Sequence, residues 1–340
     1  MRGLAKILAS VAVMLAAGCD AVPAGRAGGD GRADFRKPGA PVAAAAGPKA
    51  AELGRALFHD ARLSGDGSRS CATCHKQELG WGDGLPRAAG MSGRPMGLRT
   101  PTILNLARAG RMGWDGKFEG VEEVTFGPLS NPENMGSTVP AVLATVASDP
   151  AYVDGFAAAF GDGAVTRARI EAAVGAYVRT IESPPSRFDA WLAGDDGALT
   201  AAEHRGFDLF RGKAGCSACH SGWAMTDNAF HDVGIGDAEG RGKFFPGSAK
   251  LAHAWKTPGL REIGKRAPYM HDGSVATLAA VVDHYDAGGR TVRPSLAAEV
   301  KRLGLTPAEK SDLVSFLESL DAGPASPETD VPDRASQTKG

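Results

Sequence analysis

Two tandem, mainly α-helical units joined by long irregular loops are the fold this 340-residue sequence predicts. Three observations carry that expectation. Cys71-Ala72-Thr73-Cys74-His75 recurs as Cys216-Ser217-Ala218-Cys219-His220. Each copy follows a similar amphipathic stretch, Gly54-Arg55-Ala56-Leu57-Phe58 before the first and Gly206-Phe207-Asp208-Leu209-Phe210 before the second, as expected for related units in tandem. Elsewhere, apolar residues at helical spacing and helix caps alternate with long aperiodic Gly-rich segments.

The repeated pentapeptide is a CxxCH, the attachment sequence of a c-type haem. Two thiols one turn apart can reach the vinyl groups on one porphyrin edge, and the following His can then ligate the iron. A zinc site built from both Cys pairs, or a redox dithiol, would not require His directly after each pair. Two covalently bound haems c are expected, at Cys71, Cys74 and His75 and at Cys216, Cys219 and His220. Of five cysteines only Cys19 lies outside the motifs, which leaves no pair for a structural disulfide. With 38 basic and 39 acidic residues the formal charge is −1, and no basic block suggests nucleic acid. Aromatic content is 6%, so haem is expected to fill much of each core.

In chain order, Arg2 and Lys6 precede the apolar run Ile7 to Ala17, too short to span a bilayer. Ala16-Ala17-Gly18-Cys19 then reads as the end of a secretion signal, residues 1–18. Cys19 after a small residue matches a bacterial lipobox, although Ala16 stands where Leu is usual; the alternative is ordinary cleavage with Cys19 a bystander. Either reading places the protein in the periplasm, membrane-anchored if Cys19 is lipidated. Residues 19–47 are rich in Gly, Ala, Pro and Arg and read as a flexible tether, and 322–340 as a disordered tail. Between them are expected a first unit over 48–190 and a second unit over 191–321. Helices are expected to start over Glu52 to Phe58 and His204 to Phe210. Thr166 caps a helix to Glu182 with Ile170, Val174, Tyr177, Val178 and Ile181 on one stripe. Thr306-Pro307-Ala308-Glu309 is a capping box, opening a helix that buries Leu313, Phe316, Leu317 and Leu320. Such a terminal helix crosses the first one beside the haem in cytochromes c, so both units are expected to be cytochrome c-like haem domains. The aperiodic loops Gly80 to Gly97 and Val233 to Gly247 are expected to wrap haem edges.

From about Ala51 to Leu320 the sequence resembles the bacterial di-haem cytochrome c peroxidase family, and within it the MauG-type branch. The resemblance rests on Leu63–Gly67, Arg99–Asn105, Trp114–Lys117, Gly127–Gly136, Lys213–Cys216, Lys256–Leu260 and Ala267–Ser274. It implies hydrogen peroxide as oxidant at the first haem and electrons drawn through the second from a small cytochrome, a cupredoxin or an oxidisable substrate. It implies Trp114 as the tryptophan between the haems. No His lies between Lys76 and Pro101, and of the ligand types in that loop only Met91 and Met96 occur, both read as loop packing. The first haem is therefore expected to be five-coordinate. The position of the second axial ligand of the other haem is Tyr285, as in the MauG-type. A hard oxygen ligand favours ferric iron. The alternatives are that Tyr285 only packs and that Met270, Met225 or His284 is the ligand. Trp81, Trp191, Trp223 and Trp255 read as core, and His59, His231 and His271 as loop-fixing hydrogen bonders.

Three departures from the family bear on chemistry. Over the first haem the usual Gln is Val124 and the usual Glu is Asn134, with a carboxylate one place early at Glu133. Either Glu133 acts as the proton-transfer group, or peroxide activation is weak; Asn134 can hydrogen-bond a ligand but is no base. Arg99 stands where an Asn helps hold calcium between the domains, which makes calcium doubtful. Ala214 stands where the MauG-type has its surface Trp, so hole transfer to a protein substrate by that route is not supported. The expected function is a peroxide-dependent di-haem oxidoreductase; the alternative is a non-enzymatic di-haem electron-transfer or ligand-sensing cytochrome.

Overall fold

The computed structural model describes residues 31–39 and 46–323. Cys19, the segment read as a signal and the chain beyond 323 lie outside the described residues. The described residues are mainly helical, with one two-stranded antiparallel ribbon among them that pairs Phe230 with Lys256 and His231 with Trp255. No described helix is long and apolar enough to cross a membrane.

Two helix crossings organise the molecule, and they are built alike. The helix Gly47–His59 packs on Arg167–Thr180, and Ala201–Arg211 packs on Pro307–Glu318. At each crossing a glycine lets the backbones meet. A Cβ at Gly54 would lie 1.9 Å from the Ala173 carbonyl oxygen, and one at Gly206 would lie 2.0 Å from that of Asp312. These are the glycines of the two parallel stretches before the CxxCH motifs. The expected caps form: Thr166 accepts from the Arg169 amide, and Thr306 and Glu309 close a reciprocal box. Both early helices run longer than the sequence suggested, because Pro48 at the first turn and the Thr200–Glu203 capping box start them upstream.

Each crossing seeds a hydrophobic core. Leu53, Leu57, Phe58, Ile170, Val174, Tyr177, Val178 and Ile181 belong to the first. Phe207, Phe210, Leu313, Phe316, Leu317 and Leu320 belong to the second. The second core begins before position 191, since Phe188 on the helix Arg187–Ala193 packs into it with Trp191 and Leu192.

The tether expected over 19–47 is corrected where it is described. Residues Arg32–Phe35 form a 3-10 helix, and Phe35, 2% exposed, sits edge-on between Phe188 and Phe207 in the second core. Arg32 donates to the Trp191 carbonyl at 3.1 Å and pairs with Asp196, and Lys37 pairs with Glu182 at 2.6 Å.

Candidate functional site

Each CxxCH sits at the mouth of its own helix crossing. Cys71–Cys74 is one α-helical turn closed by a Ser70–Thr73 capping box, and Cys216–Ala218 is a 3-10 turn. All four thiols are free. Burial pushes the thiols of Cys71 and Cys216 up to about 12, with Cys74 adding to the effect at Cys71. The two histidines are fixed alike. His75 Nδ1–H donates to the Trp81 carbonyl at 3.0 Å, and His220 Nδ1–H to the Met225 carbonyl at 3.0 Å. A carbonyl only accepts, so each Nδ1 carries the proton and each Nε2 lone pair is free for a metal. Trp81 and Met225 reach these positions through left-handed backbone, φ 62° and 54°. Burial holds both imidazoles below their usual pKa.

Two adjoining cavities open in front of these histidines. The larger, about 620 Å³, is lined by Cys71, Cys74 and His75. The narrower, about 190 Å³, is lined by Cys216, Cys219, His220 and Tyr285. Trp114 belongs to the wall of both. Its Nε1–H donates to the Arg99 carbonyl at 3.0 Å, and its own carbonyl accepts from the Lys256 amide at 2.8 Å. Lys256 also faces both cavities. Its ammonium donates to the Arg111 carbonyl and to Asn228, and burial lowers its pKa to about 8.

The residue types present suit a porphyrin at each place, and the second cavity would widen to take one. Paired thiols, an imidazole with a free Nε2 and a largely apolar wall meet in each cavity. Tyr285 faces the second cavity, and its hydroxyl has no hydrogen-bond partner among the described residues; burial, then the neighbouring Cys216 and Cys219, push its pKa up. Two of the alternative ligands point elsewhere. Met225 is fully buried outside the cavity wall, and His284 Nε2–H donates to the Val233 carbonyl at 2.7 Å. Met270 does face both cavities and stays a competitor.

Over the first cavity Val124 and Asn134 line the wall, and Glu133 does not. The Glu133 carboxylate is 45% exposed, accepts from the Ser92 hydroxyl at 2.6 Å and lies 3.8 Å from Arg94. Those partners come from a turn over 88–98 in which Ala89 pairs with Pro95. The turn holds the Glu133 carboxylate outward, off the wall of the first cavity. That turn also divides the two methionines. Met91 packs against Gly136, whereas Met96 reaches the cavity wall.

Some lining residues were not singled out as functional by sequence. Trp255 stacks on His271, centroids 4.1 Å apart, and both line the second cavity with His231. His231 pairs with Asp227 at 2.7 Å, close to Cys219. Lys256 and His271 both lie in stretches that carry the family resemblance, which was the available signal; their neighbours across the chain were not.

Comparison with known proteins places this geometry. The family model described as di-haem cytochrome c peroxidase matches residues 48–197. The methylamine utilization protein MauG of Methylorubrum extorquens is 45% identical over 301 residues, spanning 86% of this chain and 85% of that protein. The cytochrome c551 peroxidase of Nitrosomonas europaea is 36% identical over 68% of this chain and 71% of its own. Among solved structures, a MauG-like protein associated with microbial copper homeostasis superposes with a TM-score of 0.77 at 32% identity, over 86% of this chain and 95% of that one. The chain belongs to the di-haem cytochrome c peroxidase family that includes MauG. Membership brings two c-type haems and oxidoreductase chemistry.

Proposed function

We propose that the chain is a peroxide-dependent oxidoreductase made of two tandem cytochrome c-like units, peroxidatic then electron-transferring. Cys71 and Cys74 bond one porphyrin and Cys216 and Cys219 the other, with His75 and His220 as proximal ligands and Tyr285 as the second ligand of the latter. When bound, the iron over His75 supplies the centre at which hydrogen peroxide takes two electrons and two protons to give two waters. The chain's own residues do the rest. The Trp81 and Met225 carbonyls hold both imidazoles in the metal-binding tautomer. Tyr285 offers a hard oxygen ligand that favours ferric iron. Trp114 carries electrons between the two centres. The observation that carries this reading is the presence of Trp114 in the walls of both CxxCH cavities.

Asn134 orients a ligand by hydrogen bonding, and among the described residues the carboxylate in that cavity's wall is Asp115, which is paired with Lys243 rather than placed to move a proton between peroxide oxygens. The electron source is a small cytochrome, a cupredoxin or an oxidisable substrate. The periplasm is the site of action, with Cys19 as a lipid anchor. A second reading, an electron-transfer or ligand-sensing cytochrome without turnover, is favoured by one observation: Val124 and Asn134 line the first cavity while Glu133 faces away.

Adding one equivalent of peroxide to the ferric holoprotein decides between them. The expected result is a change in the absorption spectrum within seconds that also removes the low-spin electron paramagnetic resonance signal of the second haem. In Trp114→Phe that low-spin signal should persist while the first haem still responds. A wild-type spectrum inert to peroxide would transfer the case to the non-enzymatic reading.

A further inference from the structure

The charged residues in the otherwise apolar wall of the larger cavity are nearly all of one sign. Seven Lys and Arg side chains line it against one carboxylate, Asp115, which is paired with Lys243. Three of the seven, Arg99, Arg261 and Arg266, are 8%, 2% and 6% exposed. Arg261 has a direct ion pair with Asp189 at 2.7 Å. Arg99 and Arg266 meet no carboxylate at ion-pair distance among the described residues. Arg99 donates through Nη2 to the Arg266 carbonyl at 2.9 Å, and Arg266 donates to the carbonyls of Glu262 and Gly259 at 3.2 and 2.6 Å. Arg99 Nε and Arg261 Nη2 are buried with no hydrogen-bond partner. The nearby acids are engaged outside the cavity wall: Asp83 by Thr100, Glu262 by Lys265, and Asp321 by the Gly264 amide.

Arg99 and Arg266 are buried without a direct ion pair, which is costly, and with Arg261 beside them at a cavity wall they call for an anion. Their forked, planar donors match carboxylates in particular. We propose that Arg99, Arg261 and Arg266 form the anion site that receives the propionate carboxylates of the porphyrin held at Cys71, Cys74 and His75. This rests on the reading of that cavity as a haem site. Arg99 belongs to the first half of the chain and Arg261 and Arg266 to the second, and the Arg99 amide also donates to the His271 carbonyl at 3.1 Å. A carboxylate seated among them ties the halves together. Three guanidinium groups repel a divalent cation, so the junction works without calcium.

The test uses holoprotein shown by mass to carry two covalent haems, so failure of the haem reading registers separately from failure of this site. Chelator treatment followed by millimolar calcium should leave the potentials and paramagnetic spectra of wild type unchanged; a saturable calcium response overturns the proposal. Acetate or phosphate should produce no saturable spectral shift, because the porphyrin already fills the site; a shift that disappears in Arg99→Met would make the site one for solution anions and overturn it. Arg99→Met and Arg266→Met should each shift the propionate bending band in resonance Raman and lower the midpoint potential of the first haem, since removing positive charge favours ferric iron. Arg99→Lys should shift the band and keep most of the potential. Unchanged bands in these variants overturn the assignment. If the Met variants do not fold, the Arg99→Lys band and the two wild-type titrations still decide.

Discussion

Under the proposed ligation, Tyr285 is the residue whose chemistry most separates this protein from a His/Met cytochrome. Its hydroxyl faces the second cavity without a hydrogen-bond partner among the described residues, and of the three competing ligands only Met270 also faces it. Ferric paramagnetic resonance should show a low-spin second haem in wild type and a high-spin one in Tyr285→Phe; an identical low-spin signal in both would move the assignment to Met270. Over the first cavity, Glu133→Gln should change peroxide reactivity by no more than about twofold, as for a surface substitution. Asn134→Glu, which puts a carboxylate into the wall, should raise it by roughly 10²–10⁴-fold, the usual reach of general acid–base catalysis. Stopped-flow mixing with peroxide measures both, and a large loss in Glu133→Gln would return Glu133 to the catalytic set. The CxxCH residues were legible in sequence because their spacing is the chemistry. The orientation of Glu133 was not, because Ser92 and Arg94, which hold it outward, lie some forty residues earlier and the turn that presents them has no periodic signature.

The elements were legible where local rules decide them. The Thr166 and Thr306 caps and the buried stripes behind them form as their spacing requires. What the sequence concealed was how closely the helices approach, because a glycine inside a helix reads only as a weak point. Gly54 and Gly206 are required at the crossings, where a Cβ would collide with a carbonyl oxygen across the interface. Gly54→Ala should force the helices apart at a cost of about 1–3 kcal/mol or more, and should impair haem retention at Cys71 and Cys74 while leaving Cys216 and Cys219 loaded. Gly206→Ala should do the reverse. Haem content of each half, read by mass after proteolysis, checks the pair; equal loading in both variants would mean the crossings tolerate a methyl group.

At the scale of the whole molecule the chain path is less modular than a tandem repeat implies. The segment that precedes the first unit in sequence is buried in the second, through Phe35 against Phe188 and Phe207. A lone Phe in a Gly-, Ala- and Pro-rich stretch has no period to reveal it, so composition alone read the stretch as free. The docking shortens any tether. If Cys19 carries lipid, only residues 20–30 separate it from the anchored segment, a reach of at most about 40 Å at full extension. Truncating a buried Phe costs about 3–5 kcal/mol. Arg32→Ala should cost less. Its ion pair with Asp196, 81% exposed, is worth under about 1 kcal/mol, and its bond to the Trp191 carbonyl and its contact with that ring are the larger loss. Phe35→Ala should therefore lower the melting temperature of the second half, followed by loss of its low-spin haem signal, while the first haem melts as in wild type. Coincident melting of wild type and Phe35→Ala at the second haem would show that the segment lies on the core without supporting it. Equal destabilisation of both haems would instead mean that the two halves unfold as one cooperative unit.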